Sequence, residues 1–120
     1  MNEIQIEELA ARLEEGIVLL DVRTEVEFDG TIGSPCDPRQ GHIPGARNVD
    51  IQELASAGSL EEVRELVGAP AGAEVIAYCH SGSRSELARQ ILAAAGYDAR
   101  NYRGSWHEWS RRGDLPVAEP

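Results

Sequence analysis

Apolar positions along the chain fall into two rhythms, and the rhythms alternate. Between Glu7 and Glu15, Leu9, Ala10 and Leu13 share a face at helical spacing, and Gly16 stops the run. Ile17–Leu20 is an unbroken apolar run ending at Asp21, the pattern of a short strand buried on both faces, and Val75–Tyr78 repeats it. The spacing predicts a helix over Leu60–Val67, closed by the turn GAPAGA. A third helix covers Ser85–Ala95, where Leu87, Ala88, Ile91, Leu92 and Ala95 line one face before Gly96. Ala46–Ile51 and Asp98–Tyr102 read as further strands. Ser105–Arg112 reads as a last helical turn or two, with Trp109 in the core and Trp106 half-buried or facing a substrate. Asp29–Gly45, rich in Gly, Pro and Asp, reads as a long loop, and Val117–Pro120 as a frayed tail.

Strands alternating with helices at these lengths imply parallel βαβ units, hence an α/β fold with a doubly wound central parallel sheet and helices on both faces. The 120 residues read as a single domain, without repeat, linker or low-complexity segment. A net charge of −10 argues against nucleic acid or an anionic membrane as partner, but leaves room for a small anionic substrate at a local positive site. The opening MNEIQIEELAARLEE has neither the basic nor the apolar region of a signal peptide, so a cytoplasmic setting with reduced thiols is expected. Cys36 and Cys79 form no C-x-x-C pair, and His42, His80 and His107 share no ligand spacing, so no metal site is expected.

The chemistry concentrates at AYCHSGSRSEL, Ala77–Leu87. Cys79 ends a predicted strand, and His80, Ser81, Gly82, Ser83 and Arg84 lead straight into a helix. Such a turn sits at the carboxyl edge of the sheet, where α/β proteins place ligands. Its amides converge on an anion, and the helix N-terminus adds partial positive charge. A thiol in that field ionises below the ordinary value near 8.5, so Cys79 is read as a thiolate nucleophile rather than a small apolar residue finishing a strand. Arg84 supplies a permanent charge that can meet an oxyanion on two oxygens.

These motifs resemble the rhodanese-like sulfurtransferase domain. The resemblance rests on LLDVR with Glu27–Phe28, on GHIPGA (Gly41–Ala46), on YCHSGSRS (Tyr78–Ser85), and on AGY with Gly104-Ser105 before Trp109. Together they span about residues 4–112. The resemblance implies that Cys79 takes a sulfane sulfur from a small anionic donor such as thiosulfate. The resulting persulfide passes its sulfur to cyanide, a thiol or a protein, in ping-pong fashion and without a cofactor. His80, Ser81, Gly82, Ser83, Arg84 and Ser85 would bind the donor. Asp21, Arg23 and His42 would be scaffold, with Asp21 bonding nearby backbone and Arg23 pairing with a carboxylate such as Glu27.

Cysteine phosphatases and arsenate reductases on related folds offer a different chemistry, but their loop is C-x5-R, whereas Cys79 to Arg84 is C-x4-R. A tighter ring suits one sulfur atom better than a phosphoryl group. Mercaptopyruvate sulfurtransferases typically carry C-G-S-G-V-T in place of this loop. A relay or binding module without turnover remains the other alternative. Two departures from the family pattern stand out. Glu27 occupies a position that can be a donor-binding arginine, for which Arg39 in the long loop could substitute, and Ser105 replaces a glycine. Cys36, in the same loop, reads as an incidental thiol, with relay or redox pairing to Cys79 as the alternative.

Overall fold

In the computed structural model, residues 2–118 are described. The strands are β1 (Val18–Asp21), β2 (Arg47–Asn48), β3 (Glu74–Tyr78) and β4 (Asp98–Asn101). The helices are α1 (Ile6–Arg12, continued by a 3-10 turn over Leu13–Glu15), α2 (Glu25–Phe28), α3 (Ile51–Ala55), α4 (Leu60–Val67), α5 (Ser83–Ala94) and α6 (Ser105–Trp109). The strands form one parallel sheet in the order β2-β1-β3-β4. Its register sets Asp21 beside both Asn48 and Tyr78, so three strands end together at the carboxyl edge just ahead of Cys79.

The period of two along β1 and β3 sorts side chains onto two faces. Leu20, Val75 and Ala77 pack with Leu54 of α3, Val63 and Val67 of α4, and Ala88 and Leu92 of α5. Leu19, Ile76 and Tyr78 pack with Ile6 and Leu9 of α1 and with Trp106 and Trp109 of α6. Each face is therefore covered by helices, as a parallel sheet requires. No helix among the described residues is long and apolar enough to cross a membrane.

Three local expectations change, and one helical turn was not anticipated. The strand predicted over Ala46–Ile51 shrinks to two residues, because Asp50 accepts the Gln52 amide at 2.9 Å and starts α3 at Ile51. Just before the long loop, Thr24 and Glu27 form a capping box that makes Glu25–Phe28 a helical turn. Trp106 is fully buried rather than half-buried, and its indole N–H donates to Arg39 O at 3.1 Å. The expected tail is pinned as far as Ala118, which exchanges two backbone bonds of 2.9 Å with His42; residues 119 and 120 lie outside the described part.

Candidate active site

The Cys79 loop is held from three directions. Its own strand, β3, delivers Cys79 to the sheet edge, and α5 begins at Ser83, four residues later. Gly82 lies between them with φ +99, a left-handed conformation that glycine adopts without steric cost. There is also no room for more: a Cβ at Gly82 would stand 2.6 Å from Arg103 O. Asn101, at the end of β4, donates its side-chain amide to Gly82 O at 3.2 Å. From α6, the Trp106 and His107 amides donate to Cys79 O and His80 O, each at 2.9 Å. Ser105 Oγ accepts the Cys79 amide at 3.0 Å and donates to Tyr102 O at 2.9 Å.

This frame turns donors onto the sulfur. Gly82 N–H donates to Cys79 Sγ at 3.1 Å and the Ser85 hydroxyl donates to the same sulfur at 3.4 Å, while Ser105 Oγ stands 3.9 Å from it. Burial by itself pushes the thiol pKa up, since Cys79 is 1 % exposed. Hydrogen bonds from the Ser85 side chain and from the amides of Ser85, Gly82 and Ser81 outweigh burial and bring the value below that of an ordinary thiol. The group is thus a buried, free cysteine whose thiol is held below its ordinary pKa at the start of a twelve-residue helix. Two open clefts of about 650 and 640 Å³ share Ser81 as a lining residue.

Arg84 is not an unpartnered cation. Its Nη1 and Nη2 donate to the two carboxylate oxygens of Glu27 at 2.9 and 3.2 Å. Burial raises the Glu27 carboxyl, but Arg84 and the Thr24 amide and hydroxyl hold it down at about 2. The cation expected near position 27 is therefore supplied by α5 and balanced by the residue at 27 itself. His80 Nε2 lies 2.9 Å from Asp37 Oδ2, its side chain 26 % exposed. Arg111 Nη1 donates to the other Asp37 oxygen at 2.9 Å, and Nη2 to Cys36 O at 2.9 Å. Cys36 is exposed, with its Sγ 2.9 Å from Ser34 Oγ. Although sequence spacing gave no metal motif, the fold brings ligand atoms of Asp37, His80 and His107 within 4.8 Å of one another.

The expected scaffold residues lie behind the loop. Arg23 and Asp21 form a buried pair, with Nη2 to Oδ2 at 2.7 Å and Nε to Oδ1 at 3.0 Å. The partner expected from helical spacing, Glu27, is excluded because residues 21–23 leave a strand rather than continue a helix. Arg23 also donates to Gly41 O at 2.6 Å and lies 5.0 Å from the Trp106 ring, so it ties GHIPGA to α6. His42 Nδ1 is 2.8 Å from Phe28 O, and its ring stacks on Phe28 at 3.7 Å. The Arg39 guanidinium is engaged with main chain: it gives four bonds of 2.6–3.2 Å to the carbonyls of Trp109, Ser110, Arg112 and Leu115. Sequence reasoning passed over Tyr78 and Asn101. Tyr78 accepts the Ile43 amide at 3.0 Å, its hydroxyl kept neutral by burial.

A family model for the rhodanese-like domain matches residues 5–112. The chain belongs to that family, in agreement with the motifs and the parallel α/β sheet. It is 35% identical over 119 residues to a 3-mercaptopyruvate sulfurtransferase of Escherichia coli (strain K12), covering 91% of this chain and 42% of that protein. It is 32% identical over 109 residues to a thiosulfate sulfurtransferase of Pseudomonas aeruginosa, covering 84% and 40%. The chain thus spans about two-fifths of the length of the curated relatives it matches. A human single-domain sulfurtransferase superposes with a TM-score of 0.71 at 29% identity, over 95% of this chain and 99% of that one.

Proposed function

We propose that the chain is a sulfurtransferase that carries sulfane sulfur on Cys79, with thiosulfate as donor. The observation that carries this reading is the Sγ atom itself, buried, its pKa lowered, and facing Gly82 N–H at 3.1 Å and Ser85 Oγ at 3.4 Å. The Cys79 thiolate attacks the outer sulfur of thiosulfate. A new S–S bond forms, the old one breaks, and sulfite leaves with its electron pair. The terminal persulfide sulfur is then anionic, and the loop donors stabilise it as an oxyanion hole stabilises oxygen. Cyanide, a thiol or an acceptor protein attacks that sulfur next, and Cys79 leaves as thiolate, ready for another turnover.

His80, Ser81, Gly82, Ser83, Arg84 and Ser85 form the donor-binding loop in this reading. Arg84 holds the sulfonate by exchanging part of its pairing with Glu27 for the donor's oxygens. The relatives' names include both thiosulfate and 3-mercaptopyruvate sulfurtransferases. The cationic ending at Arg84 favours the dianion with three oxygens on its inner sulfur. The test is intact mass after incubation with thiosulfate, beside Cys79→Ala, followed by cyanide. The expected result is a gain of one sulfur, about 32 Da, in the wild type alone, discharged as thiocyanate. No adduct with thiosulfate, or one that survives in Cys79→Ala, overturns the proposal.

A further inference from the structure

The fold gathers two imidazoles and a carboxylate that sequence spacing keeps apart. Asp37 comes from the long loop, His80 from the Cys79 loop and His107 from α6. The Asp37 side chain is 1 % exposed and fixed by Arg111 on Oδ1, which leaves Oδ2 turned to His80 Nε2 at 2.9 Å. His107 meets His80 edge to face, ring centroids 5.7 Å apart, and its amide is bonded to His80 O. All three ligand atoms lie within 4.8 Å of one another.

We propose that Asp37, His80 and His107 form a binding site for a borderline divalent cation of the zinc class. Two nitrogen ligands and one oxygen suit zinc, whereas calcium and magnesium prefer all-oxygen shells. Tetrahedral zinc with bonds of 2.0–2.2 Å needs ligand atoms about 3.3 Å apart. The His80–Asp37 contact already falls near that spacing, and the exposed His107 ring swings in to close the rest. Binding requires Nε2 of His80 as a lone pair, so its proton moves to Nδ1 or to solvent, and water takes the fourth position. Arg111 orients the carboxylate as an outer partner but also withdraws charge from it, which makes the site a moderate binder. Its rim is the cleft lined by His107, Arg111 and Ser81, so the ion would tie the Cys79 loop to α6 and the long loop. The site stands independently of the sulfur-transfer reading.

The test is zinc binding by calorimetry to the reduced chain, to Cys79→Ala and to His107→Ala. The expected result is one ion for the wild type and for Cys79→Ala, and affinity weaker by about tenfold or more for His107→Ala. His107 is exposed, so its truncation leaves the core untouched and circular dichroism of that variant should match the parent. Equal affinity in His107→Ala, or no binding at about 0.1 mM free zinc, overturns the proposal. Loss of binding in Cys79→Ala overturns it too, since the thiolate would then hold the ion.

Discussion

Replacing Ser85 by alanine removes one oxygen from the Cys79 pocket and isolates what holds the thiolate. Ser85 is fully buried and its hydroxyl reaches Sγ at 3.4 Å. A hydrogen bond to a charged group contributes about 1.5–3 kcal/mol, and the length of this one places it at the lower end. At 1.36 kcal/mol per pKa unit, Ser85→Ala should raise the Cys79 pKa by about one unit. The amides of residues 81, 82 and 85 then face the burial cost without the hydroxyl. The assay is the pH dependence of iodoacetamide alkylation in a Cys36→Ser background, which removes the exposed thiol. The same shift has a stability signature. Because the folded thiol lies below its unfolded value, ionised Cys79 stabilises the fold above pH ~8.5, and that increment is lost as pH falls through the folded pKa. Ser85→Ala shrinks the increment. An alkylation midpoint within about 0.3 units of the parent would refute the assignment of Ser85 as a principal donor.

Arg39→Ala removes four main-chain contacts around the end of α6, each contributing about 1 kcal/mol net, so thermal unfolding should report a loss of about 2–4 kcal/mol. The KM for thiosulfate should stay level, and a large rise at intact stability would assign Arg39 to donor binding instead. Glu27→Gln tests the pair with Arg84 through acid. Wild-type Glu27 titrates at about 2 rather than its ordinary 4.5, so its contribution is complete above pH 4.5 and fades as pH falls through 2. The variant should lack this part of the acid-denaturation slope, and an unchanged slope would remove Glu27 from the account of Arg84.

The strands and the Cys79 loop were legible because their signals are local. Unbroken apolar runs mark β1 and β3, and a cysteine followed by small polar residues marks the loop. Two missed helical turns also had local signals, Thr24 with Glu27, where no element was assigned, and Asp50 before Ile51, which was read through as strand. What spacing could not reveal were pairings between distant segments. Arg39 lies some seventy residues from the carbonyls it caps, and Asp37 forty-three residues from His80. Arg23 chose Asp21 over Glu27 because chain direction after β1 decides which carboxylate its guanidinium can reach.

Ser105 shows how the loop and its support are balanced. It adopts φ +55, the one left-handed non-glycine among the described residues, at a place where the family pattern has glycine. That conformation costs an L-residue about 1–2 kcal/mol. Its hydroxyl gives something back: it accepts the buried Cys79 amide and donates to Tyr102 O. A glycine here would relieve the strain but leave the Cys79 N–H without this acceptor, at about 1–3 kcal/mol for an unmet buried donor. The two effects are of equal size, so serine need not be a defect in the turn. It exchanges backbone ease for a hydroxyl 3.9 Å from Cys79 Sγ and a direct tie between α6 and Cys79.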